Sequence, residues 1–384
     1  METGRHAYET LLNQAAATAP VEDCRCAVCG APMTPRGFEA RQVHTQLGVV
    51  TLRRRYYTCP AEHGGYAPLD QQLALVGQWS AGMQEWMQYV SAKDSFAGGA
   101  ECIAMFSGQV AAPSSIREVA EWHGARKEAA QQKEIAQRLQ RRQKPPRTPA
   151  PGRLYVAVDG AHVPERGEWK ECKVGVVFET SARLPLRVRR REYVAAIEPM
   201  AQFGERLYTV AQRHGVEHAA ELVVLGDGAP AIWELAAMHY PQATQILDFY
   251  HASEHLHAVR ALAWPADDPH GERWTRAQIV RLKRGWWDAF IAAFAALPPL
   301  RGKRDQALRY FLNNRERMQY RAYRARRLFI GSGIVESACK QVVTRRMKIT
   351  GARWLHPGAQ AIIQIRVAYL NGAYCPRAQI RLAA

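Results

Sequence analysis

Two short apolar runs each stop at an acidic residue beside glycine, and this pairing constrains the chain more than any other feature. Leu154-Tyr-Val-Ala-Val158 is followed by Asp159-Gly160, and Leu222-Val-Val-Leu225 by Gly226-Asp227-Gly228. Runs of this length rich in β-branched residues predict buried strands. An Asp-Gly step alone predicts only a turn. Around these runs the pattern reads strand, strand, strand, helix, strand, helix, strand. The expected strands are Leu154–Val158, 171–178, Leu186–Val194, Leu222–Leu225 and Thr244–Leu247, with helices at about 200–212 and 231–239. Three antiparallel strands followed by α/β crossovers is the order of an RNase H-like fold. In that order the first and fourth strands are neighbours, which would bring Asp159 and Asp227 to adjacent strand ends. The acidic residue Glu336, in Gly331-Ser-Gly-Ile-Val-Glu-Ser337, would approach from a long downstream helix. The Gly331-Ser-Gly333 step lacks the spacing and lysine of a P-loop, so it reads as an approach to that helix.

Charge narrows the partners. The chain of 384 residues carries a formal net charge of +17. Residues 1–150 hold 17 Lys/Arg against 14 Asp/Glu, whereas residues 301–384 hold 18 against 3. Such asymmetry predicts a polyanionic partner, because Lys and Arg on phosphates supply sequence-independent DNA affinity. No apolar stretch reaches the length of a membrane span, and the N-terminus lacks the pattern of a secretory signal, so no membrane partner is expected and the cytoplasm is the default compartment.

The cysteines divide into two sets. Cys26-Ala-Val-Cys29 forms one knuckle and Cys59-Pro-Ala-Glu-His63 a second, separated by strand-like residues 49–57. Two knuckles across a hairpin describe a zinc ribbon with ligands Cys26, Cys29, Cys59 and His63, and with Cys24 as a spare. Cys102, Cys172, Cys339 and Cys375 stand alone and read as small buried hydrophobes. The expected division is therefore a zinc-ribbon-like module over 1–66 and a helical region over 67–143. A proline-rich linker at 144–151 precedes a catalytic domain over 152–384, with an aromatic-rich helical insertion at 267–325. Within the helical region, 95–106 and 113–124 flank a Ser-Gly turn, as in a helix-turn-helix, with Arg117 placed for DNA.

Carboxylates at two strand ends and on one helix suit divalent cations with hard-oxygen preference, the chemistry that cuts and joins phosphodiesters. Lys340, four residues after Glu336, with Arg345, Arg346 and Lys348, would grip phosphates beside them. Trp354 either stacks on an unpaired base or fills the core. Asp248 and His251 either support the site or cap the helix beginning near Ala252. A rival pattern occupies the same segment: His251-Ala-Ser-Glu-His255 fits H-x-x-E-H, a zinc peptidase signature, but it leaves Asp159, Asp227 and the basic C-terminal region without a role.

The segments Tyr155–Gly160, Val224–Pro230, Leu247–Leu256 and Ile330–Gln341 together resemble bacterial insertion-sequence transposases of the ISKra type, which are similar to the Mutator-like group of DDE transposases. The resemblance implies an RNase H-like catalytic domain with a helical insertion, working with two Mg²⁺ or Mn²⁺ ions on double-stranded DNA at transposon ends and target. It implies a triad of Asp159, Asp227 and Glu336, with Asp248 and His251 matching an Asp/Cys-x-x-His signature. A bacterial, nucleoid-associated protein acting as a homo-oligomer at synapsis is the corresponding expectation. A catalytically silent DNA-binding regulator and a structure-directed nuclease are the alternatives.

Overall fold

The computed structural model describes residues 2–18, 24–140, 150–180, 187–331 and 333–374. It is a mixed α/β chain with two sheets. Its contacts divide it into two compact units, one running to Ala125 with Tyr374 added, the other from Arg126 to Ala373. The division falls inside a helix, upstream of the expected linker, whose residues 144–149 lie outside the described set.

In the first unit, helix α1 (Glu2–Thr18) precedes a sheet of β1 (Thr34–Thr45), β2 (Gly48–Thr58) and the two-residue β3 (Gly65–Tyr66). The strands pair in that order, all antiparallel. The sequence pattern places no helix here. Tertiary partners hold α1. Tyr8 and Leu12 pack against Val43, Val50 and Leu52. Asn13 donates to the Thr51 carbonyl at 2.8 Å and accepts from the Arg53 N–H at 2.7 Å, so a side-chain amide pairs with β2 as a strand would.

Helices α2 (Pro68–Gln72), α3 (Ala81–Lys93) and α4 (Phe96–Ser107) follow. Ser80 and Ser95 cap α3 and α4 by accepting from the N–H groups of Met83 and Gly98, and Gly108 ends α4 at φ +67°. Helix α5 (Pro113–Leu139) then runs unbroken for 27 residues, well past the segment 113–124 expected as a helix. Met83, Met87, Ile103, Ile116 and Val119 form the core of this helical part.

The second unit is built on β4 (Leu154–Pro164), β5 (Trp169–Thr180), β6 (Val188–Ala196), β7 (Leu222–Gly226) and β8 (Thr244–Leu247). The sheet order is β6-β5-β4-β7-β8, with the first three strands antiparallel and β4, β7 and β8 parallel. Every apolar residue of Leu154–Val158 is buried, as central strands require. Helix α6 (Met200–Arg213) lies on β5, where Phe203 and Leu207 crowd the space that a Cβ on Gly175 would need. Helices α7 (Pro230–His239) and α8 (Phe249–Ala263) flank β8 in sequence. Between α8 and the Glu336 segment lie α9 (Pro269–Arg284), α10 (Trp287–Ala295), α11 (Lys303–Asn313) and α12 (Tyr320–Ala325). Phe290, Phe294 and Phe311 form their buried aromatic centre, with ring centroids 5.0–5.6 Å apart.

Glu336 lies on α13 (Gly333–Cys339), which continues through a π-helical turn at Lys340–Thr344 into α14 (Arg345–Met347). The carbonyl of Gln341, within the widened turn, accepts from Arg366 Nε at 2.7 Å. Arg366 belongs to the final helix, α15 (His356–Leu370). No helix among the described residues is long and apolar enough to cross a membrane.

One buried charge ties the end of α5 to α6. Arg206 is fully buried and bonds Glu198 at 2.7 and 2.8 Å and Glu128 at 2.5 and 3.1 Å. Burial alone would pull the arginine down, but the two glutamates hold it above its ordinary value. Replacing Arg206 with alanine would strand two partly buried carboxylates, an effect of about 3–5 kcal/mol. The expected outcome for Arg206→Ala is a loss of that order in chemical denaturation; a loss below about 1 kcal/mol would show the network to be dispensable.

Candidate functional site

The register between β4 and β7 builds the site. Their pairing runs from Leu154↔Leu222 to Ala157↔Leu225 and stops there. Strand β4 outruns its partner, so Asp159 stands in its middle rather than at the strand end that the apolar run suggests. Asp159 still lies just past the shared pairs, while Asp227 directly follows β7. Alternation sets the direction of Asp159. Val158 pairs with Gly175, which faces α6, so Asp159 points to the opposite face. There the Cys339 thiol of α13 donates to Asp159 Oδ2 at 3.4 Å, and the Gly160 N–H donates to Oδ1 at 2.7 Å.

Asp227 accepts from the Ala229 N–H at 2.9 Å, a tight turn on a side-chain oxygen. Gly228 has φ +104°, and a Cβ there would meet the Tyr310 hydroxyl at 2.8 Å. Only glycine satisfies both conditions. That hydroxyl donates to the Asp227 carbonyl at 3.1 Å, and the Tyr310 ring stacks on His255 at 3.8 Å between centroids. Helix α11 therefore braces the Asp227 turn directly.

Asp248 follows β8 and its N–H donates to the Gly226 carbonyl at 2.8 Å, which places it beside Asp227. Its buried side chain caps α8 by accepting from the Tyr250 N–H at 2.8 Å. Capping is thus a role it does play, three residues earlier than the helix start expected near Ala252. His251 pairs with Glu254 at 3.3 Å.

Electrostatic coupling shows which side chains share the site. Asp159 is raised above the ordinary carboxylate range by burial and by the charge of Asp227, against the opposing pull of Gly160, Cys339 and His251. Glu336 is raised by residual desolvation and by the charges of Asp248, Glu254 and Asp159, with His251 opposing. Asp159 thus lies within charge reach of Asp227, His251 and Glu336, and Glu336 within that of Asp248 and His251, with Glu336 itself exposed. Cys339 and Tyr310 complete the site. Cys339 was legible in principle, since it lies one helical turn beyond Glu336. No local signal pointed to Tyr310.

The basic residues divide. Arg117, Lys340, Arg345 and Lys348 are exposed. Arg346 is not available for phosphate: it is 1% exposed, with its guanidinium 5.1 Å from the Trp354 ring centroid. Trp354 is itself buried, and its indole N–H donates to the Met347 carbonyl at 2.9 Å. Trp354 therefore fills the core. Arg346 continues the buried stripe of Val335, Ala338, Cys339, Val342 and Val343, four residues past Val342.

Among the described residues one set of metal-ligating side chains gathers within 4.8 Å: Cys26, Cys29, Cys59 and His63. The Cys29 and Cys59 sulfurs stand 3.6 Å apart, and His63 Nδ1 lies 3.8 Å from Cys26 and 3.7 Å from Cys59. Bonds of about 2.3 Å to a tetrahedral ion place sulfurs roughly 3.8 Å apart, so this Cys3His cluster has the spacing to bind a metal such as zinc. Backbone N–H groups of Cys29 and Val28 hold the Cys26 thiol down at about 6. Cys24 is buried outside this set, as are Cys172 and Cys339; Cys102 is exposed rather than buried, and Cys375 lies outside the described residues. Neither Asp159, Asp227 and Glu336 nor His251, Glu254 and His255 form a comparable set among the described residues.

A family model described as Uncharacterised protein family (UPF0236) matches residues 36–381, and the chain belongs to that family. No curated protein matches it.

Two outcomes are expected. Purified protein should carry about one zinc per chain, lost in Cys59→Ser with lowered thermal stability; equal metal content in both proteins would exclude the cluster as the site. The raised carboxyls make a stability statement as well. The folded state keeps protons that the unfolded state has lost, so their contribution falls as pH rises above the ordinary carboxylate range. Without divalent ions, Asp227→Asn should relieve the repulsion on Asp159 and stabilise the protein at pH 7 by on the order of 0.5 kcal/mol, with the gain vanishing near pH 4. A destabilised variant at pH 7 would contradict this.

Proposed function

We propose that the chain is a DNA transposase that binds the ends of its element, cleaves a phosphodiester and transfers the freed 3′ end to target DNA. One observation carries this reading: Asp159, just past the paired part of β4 and β7, lies within charge reach of Asp227, which follows β7, and of Glu336 on α13. The strand order β6-β5-β4-β7-β8 supports an RNase H-like reading of the second unit. Exposed Lys340 and Arg345 follow Glu336 in the chain and offer phosphate contacts.

The donor set suits Mg²⁺ or Mn²⁺, since carboxylate oxygens are hard ligands and the raised proton affinities of Asp159 and Glu336 mark charge that a cation would neutralise. Asp159, Asp227 and Glu336 would hold two ions, which when bound supply Lewis-acid activation of phosphate and hydroxyl. The protein's own residues orient this set. Cys339 and Gly160 fix both oxygens of Asp159, Tyr310 braces the Asp227 turn, and Asp248 anchors the start of α8 beside them. His251 supplies a cationic counterweight when protonated.

The test is strand cleavage and joining on labelled DNA that contains the repeats flanking the gene, with Mg²⁺ or Mn²⁺. Wild type should give metal-dependent cleavage and joined products. Asp227→Ala should bind the same DNA but cleave it at least about 10²–10³-fold more slowly. Cleavage without joining would make the protein a nuclease, and binding without cleavage by either protein would make it a regulator. Cleavage retained in Asp227→Ala would sink the site assignment.

A further inference from the structure

A second basic feature lies away from the carboxylates. Lys283, Arg284, Trp286, Arg321, Arg324 and Ala325 line a cavity of about 570 Å³ between the α9–α10 junction and α12. Four of the six are cations and none is acidic. Among the described residues, none of these four cations makes an ion pair with a carboxylate. Arg284, Arg321 and Arg324 are exposed. Like charges held together without counter-charges are unfavourable unless a polyanion completes them.

The aromatic member is placed with equal economy. Gly285 closes α9 at φ +72°, and this left-handed step sets Trp286 at the start of α10. Trp287 next to it is buried, whereas Trp286 is 47% exposed with the Arg284 guanidinium 4.8 Å from its ring centroid. A large aromatic left open among arginines matches the combination that holds unpaired bases by stacking and their backbone by charge.

Lys283 Nζ lies 4.7 Å from the Phe249 ring centroid, and Phe249 directly follows Asp248. The helical segment 267–325 carries 13 Lys/Arg against 6 Asp/Glu, so the surroundings favour the same partner.

We propose that this pocket of the helical insertion is a binding site for unpaired DNA, taking one base against Trp286 and the neighbouring phosphates on Arg284, Arg321, Arg324 and Lys283. A duplex is the poorer ligand, because its bases are stacked inside a cylinder that a concave pocket does not admit. The choice of DNA over RNA rests on the function proposed above; the pocket's chemistry does not.

Fluorescence anisotropy with labelled oligothymidylate tests this, against a duplex and a single-stranded RNA of the same length, in buffer without divalent ions. Trp286→Ala should weaken single-strand binding by about 5- to 150-fold, with Trp286→Phe restoring most of it because an aromatic face is kept. Arg321→Ala with Arg324→Ala should reduce the slope of log K against log salt by about 1.4. Duplex binding should change little in either variant. Recovery by phenylalanine separates lost stacking from lost folding. Affinities and salt slopes equal to wild type would overturn the proposal, and so would equal losses for duplex and single strand. Tighter binding of RNA would overturn the assignment to DNA. The readout is binding without divalent ions rather than cleavage, so a failure of the catalytic reading would leave these results unchanged.

Discussion

The parallel pairing of β4 with β7 is the constraint on which the candidate site depends. Four residue pairs, Leu154↔Leu222 to Ala157↔Leu225, fix the register of two strands joined only through 57 intervening residues, 165–221. A slip by one residue would turn Asp159 toward α6 and bury its carboxylate against Phe203 and Leu207. The strands cannot slip, because Leu154–Val158 are buried on both faces and each side chain fills its own space. Asp227 is then delivered by the end of β7, and Asp248 by the end of β8, whose register with β7 closes at Gly226↔Leu247.

The protein treats its buried charges in two opposite ways within one unit. Around Arg206 every charge is answered: two glutamates and Gln131 surround the guanidinium, and the cluster stabilises a helix junction. Around Asp159 the charges are of one sign. Asp227 raises Asp159, and Asp248, Glu254 and Asp159 raise Glu336, while among the charged groups His251 opposes both. Unfavourable electrostatics tolerated in a well-packed setting are characteristic of a site kept for a ligand rather than for stability. The insertion repeats this logic with the opposite sign in the cavity around Trp286.

Much of the second unit was legible because its elements declare themselves locally. The expected strands and helices from 154 to 247 agree with β4 to β8 to within a few residues, apart from the longer β4 and β5 and from Leu186, which lies outside the described residues. Buried parallel strands read as continuous apolar runs, and their ends carry the turn residues. The four cysteine-cluster residues were legible for the same reason, since knuckle spacing is a local property. The charge of Arg346 suggests a phosphate contact, but its spacing from Val342 puts it on the buried stripe. Helix α1 is held on β2 by Asn13 and Leu12, contacts that no local pattern encodes.

The order of elements and the cysteine cluster can be read from the chain alone, because periodicity and spacing act over a few residues at a time. Tertiary structure alone decided what surrounds them. Tyr310 reaches Asp227 across 83 residues and Cys339 reaches Asp159 across 180, while Arg206 meets Glu128 across 78. No local pattern encodes such meetings. They exist because packing a long insertion and a late helix onto one sheet leaves each polar group near only a few possible partners, and burial makes an unmet partner costly.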